Sequence, residues 1–173
     1  FMGRVEAGSI KVGDAVTVLP SGRESTVKAV QLGGVDIGEA FCEQSITLLL
    51  ADEIDTSRGD MIVKSSEVPA AVKQIEATVC WMAEAPMDRA RTYLIRDTTR
   101  DSKAKLAAID HRLDVNTLEK VPAEKLAMND IAQVTFKLAQ PLFADPYLEN
   151  RGTGAFIIID ESNNNTVGAG MIL

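Results

Sequence analysis

Histidine and cysteine are nearly missing from this chain, with one His and two Cys among 173 residues. Structural and catalytic zinc sites draw three or four ligands from such residues. His111 has no second His or Cys near it, so a zinc centre is starved of ligands, and a structural or surface role is expected for it. Cys42 and Cys80 lie far apart, without metal-ligand or redox spacing, and fit free thiols in a reducing cytoplasm, buried as small hydrophobes. No nucleophile and base stand in a recognisable constellation, which ranks a self-contained small-molecule enzyme last among the readings. A phosphate-cradling GxxxxGK[ST] loop is absent as well. Long apolar runs are lacking: Ile46 to Ala51 and Ala155 to Ile159 fall far short of the ~20 residues that cross a bilayer, and no signal peptide opens the chain. Positive charge is in deficit. A net charge of -7 with only 5% aromatic residues argues against a nucleic-acid binder, which needs phosphate neutralisation and stacking surfaces.

What is present is strand periodicity. Ile75, Ala77, Val79 and Trp81 alternate with Gln74, Glu76 and Thr78, and Val134, Phe136 and Leu138 alternate with Gln133, Thr135 and Lys137. Turn residues punctuate the runs: Pro20, Ser21, Gly22 between Ala15–Leu19 and Ser25–Leu32, then Gly33 and Gly34, then Arg58, Gly59, Asp60. No twelve-residue window sustains a helical apolar stripe, and Pro122 to Ala127 is expected to form little more than a turn. The polar stretch Lys64 to Pro69 predicts a boundary between a first domain, 1–66, and a second, 67–173, both mildly acidic. Many short strands at close spacing predict an all-β architecture, two β-barrels in series.

Four groups of side chains invite a functional reading. The carboxylates Asp52, Glu53, Asp55 and Asp60 would suit a hard cation, but their spacing matches no EF-hand loop, so a hairpin loop with Asp55 or Asp60 satisfying turn amides is expected. The cations Arg89, Arg91, Arg96, Arg100, Lys103 and Lys105 would suit RNA phosphates, though Asp88, Asp97 and Asp101 interrupt them and a solvated or partner-facing surface is the default. Trp81, followed by methionines around Pro86, fits either a core position or a partner interface. Arg151, in a glycine-flanked loop, either grips a partner's carboxylate or phosphate or braces its own loop. No residue stands out as catalytic, cofactor-binding or metal-binding.

Gly3 to Asp14 (GRVEAGSIKVGD) resembles the opening of the second domain of translation-type GTPases, and Asp145 to Gly170, with its apolar run Ala155 to Ile159, its Asn163–Asn165 turn and its closing TVGAG, resembles the final hairpin of the third domain of elongation factor Tu-like GTPases. Asp52 to Asp60 (DEIDTSRGD), His111 to Glu119 (HRLDVNTLE) and Asp145 to Ile159, with Asn150, Arg151, Thr153 and Gly154, are similar more narrowly to the GTPase large subunit of bacterial sulfate adenylyltransferase. The likeness covers nearly the whole chain. It implies a domain II-like barrel, its first strand shortened and expected to fray, followed by a domain III-like Greek-key barrel. It also implies a parent enzyme that makes adenosine 5'-phosphosulfate from ATP and sulfate while hydrolysing GTP. In that family GTP and Mg2+ belong to a separate GTPase domain and adenylyl transfer to a small subunit. Both are then partners of these 173 residues, which alone are expected to be inactive, cytoplasmic and without a cofactor. An RNA- or tRNA-binding barrel module of a translation-type GTPase is the alternative.

Overall fold

The computed structural model describes residues 1–98 and 100–173. The chain divides into two compact units, Phe1–Val68 and Pro69–Leu173, against a boundary after Ser66 read from the sequence. Its regular elements are strands. Among the described residues no helix is long and apolar enough to cross a membrane.

The first unit holds β1 (Met2–Arg4), β2 (Ser9–Lys11), β3 (Ala15–Leu19), β4 (Arg23–Leu32), β5 (Val35–Ile37), β6 (Glu39–Phe41), β7 (Ser45–Leu50) and β8 (Met61–Lys64). Its main sheet runs β1-β7-β4-β3-β8, with β5 on β4, while β2 and β6 pair separately. Alternate side chains of these β-branched strands point inward and bury Ile10, Val16, Val27, Val30, Ala40 and Ile46. The tight β4–β5 hairpin places Leu32 opposite Val35, which requires positive φ at both intervening residues; Gly33 (+59°) and Gly34 (+84°) supply it without a Cβ clash. The first strand does not dangle. Phe1 N and O both bond to Leu48, at 2.7 Å each, ahead of the β1–β7 ladder.

The Arg58, Gly59, Asp60 turn forms as read: Asp60 accepts a bond from Ser57 N at 2.8 Å, and the strand begins at Met61. The acidic stretch before it is more than a solvated loop: Asp52 accepts from Ser25 Oγ at 2.8 Å, and Ile54 is buried.

The second unit holds β9 (Ala71–Trp81), β10 (Tyr93–Asp97), β11 (Arg100–Leu113), β12 (Lys120–Val121), β13 (Ile131–Phe143), β14 (Ala155–Asp160) and β15 (Thr166–Ile172). Six of them close in the antiparallel order β10-β14-β15-β9-β13-β11, and β11 returns to β10, leaving β12 as an appendage of β11. Closure satisfies the backbone groups that an open sheet would leave at its edges. The inward faces form one core that includes Ile75, Val79, Trp81, Ile95, Val134, Phe136 and Phe156, with Phe136 and Phe156 edge-to-face at 6.3 Å. Pro122 to Ala127 is irregular; Leu126 is fully buried and its carbonyl accepts from Met87 N, which pins the segment to the barrel end.

Candidate interaction surface

An antiparallel barrel wall ordinarily alternates apolar inside with polar outside. The strand β14 breaks that rule, since Ala155, Phe156, Ile157, Ile158 and Ile159 are all apolar. Phe156 and Ile158 face the core. Ile157 therefore faces out, and the register carries its row across the wall: Ile157 pairs with Ala169 on β15, Ala169 with Cys80 on β9, and Cys80 with Ile131 on β13. Three strand spacings make this apolar row ~14 Å long. The neighbouring row adds Ala155, Met171 and Thr78.

The two rows line an open groove of about 570 Å³, which Tyr147 and Arg96 also border. The groove is deepest where β15 carries little bulk, at Gly168, Ala169 and Gly170, before Met171. Gly168 and Gly170 face inward, where a Cβ on Gly170 would stand 2.3 Å from the Phe156 ring, and outward the strand offers only the Ala169 methyl between Ile157 and Cys80. At the groove's edge Arg96 holds Asp101 through two hydrogen bonds, 2.6 and 2.8 Å long, which keep the Asp101 carboxyl below its usual pKa and the guanidinium above its own. The groove is thus apolar with a neutralised rim.

The loop after β13 borders the same face. Asp145 accepts from Thr153 Oγ1 at 2.7 Å and Asn150 Nδ2 at 3.3 Å, and Asn150 accepts from Gly152 N and Gly154 N. Backbone bonds from Tyr147 N to Ile172 O and from Ile172 N to Gly154 O tie both ends to β15. A Cβ on Gly154 would meet Tyr147 Cα at 2.4 Å, so only glycine fits. Arg151 projects from this frame, exposed and in no ion pair among the described residues; Asp145 and Asn150, rather than Arg151, brace the loop.

Trp81, the other interface candidate, is withdrawn from the surface. It is 2% exposed, packs edge-to-face on Tyr93 at 5.7 Å, and donates from Nε1 to Ala85 O at 2.8 Å. Burial also raises the Tyr93 pKa. His111 is half-buried on β11 opposite Gln133, and no grouping of His, Cys, Asp or Glu suited to a metal occurs among the described residues. The basic cluster is largely spoken for. Arg91 pairs with Asp160 at 2.9 Å, Arg96 with Asp101, and Lys103 with Glu161; Arg89 donates to Ala107 O, and Arg100 lies over the Phe143 ring. The apolar row Ile157–Ala169–Cys80–Ile131 is what sequence reasoning missed. Its signal was the unbroken apolar run in β14, since a strand apolar at every position has two faces to cover.

The second unit is thus a closed six-stranded antiparallel barrel that carries an apolar row on its outer wall. Residues 74–173 match the family described as GTP-eEF1A C-terminal domain-like, and the chain belongs to that family. It is 46% identical over all 173 residues to sulfate adenylyltransferase subunit 1 of Alteromonas mediterranea, and 45% identical over 172 residues to the same subunit of Shewanella woodyi. It is 41% identical to the bifunctional enzyme CysN/CysC of Rhodopirellula baltica, of which it covers 27%. The chain spans 37% of the length of the first two relatives and corresponds to their C-terminal part. A solved structure of sup35 complexed with GMPPNP superimposes with a TM-score of 0.89 over 99% of this chain and 42% of that one, at 19% identity, a likeness of fold.

Proposed function

We propose that this chain is the two-barrel, non-catalytic part of a sulfate adenylyltransferase subunit 1, and that it serves as the scaffold on which the rest of that subunit and a second subunit are held. The observation that carries this reading is the second barrel's wall, apolar on its outer as well as its inner side. The row Ile157, Ala169, Cys80 and Ile131 is half-buried by its own wall, with Met171 exposed beside it, and such an apolar groove suits a face that is covered in the working assembly. The occupant we assign to the groove is the remainder of the longer subunit.

In such an assembly GTP and Mg2+ belong to that remainder, and adenylyl transfer from ATP to sulfate belongs to the small second subunit. The barrels contribute differential contacts: a scaffold that fits one nucleotide state of its neighbour better than the other shifts the equilibrium between them by that difference in affinity. A cytoplasmic location fits the two free thiols, Cys42 and Cys80. The RNA-binding alternative is disfavoured, because Arg91, Arg96 and Lys103 are already matched with carboxylates.

Three measurements on the 173-residue chain test the reading. It takes up no GTP in isothermal titration calorimetry, is retained by the immobilised second subunit from the same genome, and leaves tRNA unshifted in a gel at physiological salt. Micromolar GTP binding, failure to bind the second subunit, or a salt-resistant tRNA shift overturns it.

A further inference from the structure

On β11 and β13 the outer wall breaks a rule of strand pairing. Lys105 and Lys137 stand directly opposite each other in the register, both are exposed, and neither is in an ion pair among the described residues. Cross-strand partners have Cβ atoms about 5 Å apart, and like charges so placed destabilise a sheet. Other cations on the same part of the barrel are matched: Lys103 with Glu161 and Arg112 with Asp130 on β11, Arg96 with Asp101 on β10. On β9 the position opposite Lys137 is Gln74, and the carboxylate of Glu76, two residues on, makes no ion pair with it. A repulsive pair kept without a local gain points to a role for the charge.

A third cation is brought to the same place by a bulge. Ala107 is passed over in the β11–β13 register, between Leu106 and Ala108, and its carbonyl accepts from Arg89 Nη2 at 3.3 Å. Bulges re-aim the groups they carry and are over-represented beside functional sites. Ala107 is the second residue after Lys105 and exposed like it, so the tethered guanidinium and the two ammonium groups flank one stretch of wall about 10 Å across, two strand spacings. Asp88, next to Arg89, is already engaged by the Ala90 amide at 2.8 Å and by Arg91 at 3.9 Å.

This set of donors selects its ligand by charge and shape. Flexible lysine stems let both ammonium groups turn onto one ion, and the guanidinium adds a planar fork of donors. A compact dianion with several acceptor oxygens takes a donor from each cation, whereas a monoanion leaves most of the positive charge unmatched. RNA needs a longer row of free cations, which the ion pairs of Arg91, Arg96 and Lys103 deny it. We infer that Arg89, Lys105 and Lys137 form a binding site for a small tetrahedral dianion of the sulfate or phosphate class. The site lies about 20 Å along β13 from Ile131 in the groove, at ~3.3 Å per residue, and owes nothing to the scaffold reading.

Titration of the isotope-labelled chain by nuclear magnetic resonance tests the site. Sodium sulfate and sodium phosphate, at ionic strength held constant with sodium chloride, move the amide signals of Lys105, Ala107 and Lys137 saturably at millimolar concentration, and the lower of the two half-effect concentrations identifies the ion preferred. Acetate needs about tenfold more, because halving the ligand's charge halves its attraction. Lys137→Gln and Lys105→Gln each raise the half-effect concentration about tenfold, yet neither lowers the thermal midpoint in low-salt buffer, since each relieves the repulsion. Lys125→Gln, at an exposed lysine elsewhere, changes neither readout. Shifts that never saturate, shifts as large in the chain carrying both Lys105→Gln and Lys137→Gln, or acetate as effective as phosphate overturn the site. A midpoint lowered by Lys137→Gln overturns the repulsion on which it rests, and tRNA that displaces phosphate at physiological salt assigns the cations to a polyanion and overturns the inference too. All of these outcomes leave the scaffold function standing.

Discussion

Replacing Gly170 by alanine isolates the close packing under the groove. The added Cβ would stand 2.3 Å from Phe156 Cζ and 2.8 Å from Cε1 and Cε2, closer than real Cβ contacts come. The ring has little freedom to retreat, because Phe156 is 3% exposed and edge-to-face with Phe136 at 89°. Overpacking of this kind costs about 1–3 kcal/mol. Loss of the aromatic pair adds about 0.5–1.5 kcal/mol if the ring turns away. Against this stands a gain of about 0.5–1 kcal/mol from removing a glycine from a strand interior. The net is a destabilisation of about 1–3 kcal/mol. Trp81, the sole tryptophan, sits in the core of this barrel, so its fluorescence reports the second unit in a urea titration. At a slope of ~2 kcal/mol/M the midpoint falls by about 0.5–1.5 M. Gly3→Ala, where no heavy atom lies within 4 Å, is the matched control and leaves the transition in place. Trimming the ring with Phe156→Leu in the Gly170→Ala background recovers part of the loss, a coupling of about 1 kcal/mol or more in a double-mutant cycle. An unchanged midpoint in Gly170→Ala, or additive effects in the double variant, refutes the claim that the ring and the β15 backbone are in contact and that this contact sets the floor of the groove.

Gly154→Ala meets backbone on both sides, Tyr147 Cα at 2.4 Å and Asn150 O at 2.7 Å, and backbone yields less readily than a flexible side chain. The loop is expected to be displaced, seen as faster tryptic cleavage after Arg151, and equal cleavage rates in variant and parent contradict the bracing described for it. The pH response follows from carboxyls held below their usual pKa: Asp160, chiefly by bonds from the Ser162 hydroxyl and amide and also by Arg91, and Asp101, chiefly by its bond from Arg96. Groups whose folded pKa is depressed stabilise the fold fully above the unfolded value, ~3.9, and lose that contribution as pH falls through the folded one. The thermal midpoint is therefore flat between about pH 5 and 7 and drops below about pH 4; a midpoint unchanged at pH 3 contradicts these pairings.

Much of the architecture was legible because antiparallel barrels write their pattern residue by residue. Ile75, Ala77, Val79 and Trp81 alternate with polar neighbours in the sequence and face the core in the structure. The Gly33–Gly34 turn likewise announced its hairpin. Trp81 shows where the reading stopped: strand period places it on the inner face, but only the closed barrel decides that nothing enters from outside to use it. The same limit hid the groove. Ala169 and Cys80 become neighbours of Ile157 and Ile131 through a register set by long-range pairing, and no short-range signal in the sequence specifies that alignment.

Electrostatics separates a scaffold from a nucleic-acid binder on the same fold. A phosphate-binding face gains its affinity by releasing counterions from unpaired Lys and Arg, and each intramolecular partner removes one such site. On this barrel the Arg96 guanidinium is held at both ends of its fork by Asp101, and a phosphate would have to break that bidentate pair before gaining anything. Arg91 and Lys103 are matched in the same way by Asp160 and Glu161, the two acids that follow the apolar run of β14. The strand that supplies the groove's apolar wall thus ends in the carboxylates that neutralise the cations beside it. One short stretch, Ile157 to Glu161, supplies both the groove's apolar wall and the carboxylates that offset the positive charge beside it, which is the charge an RNA phosphate would need on that side of the barrel.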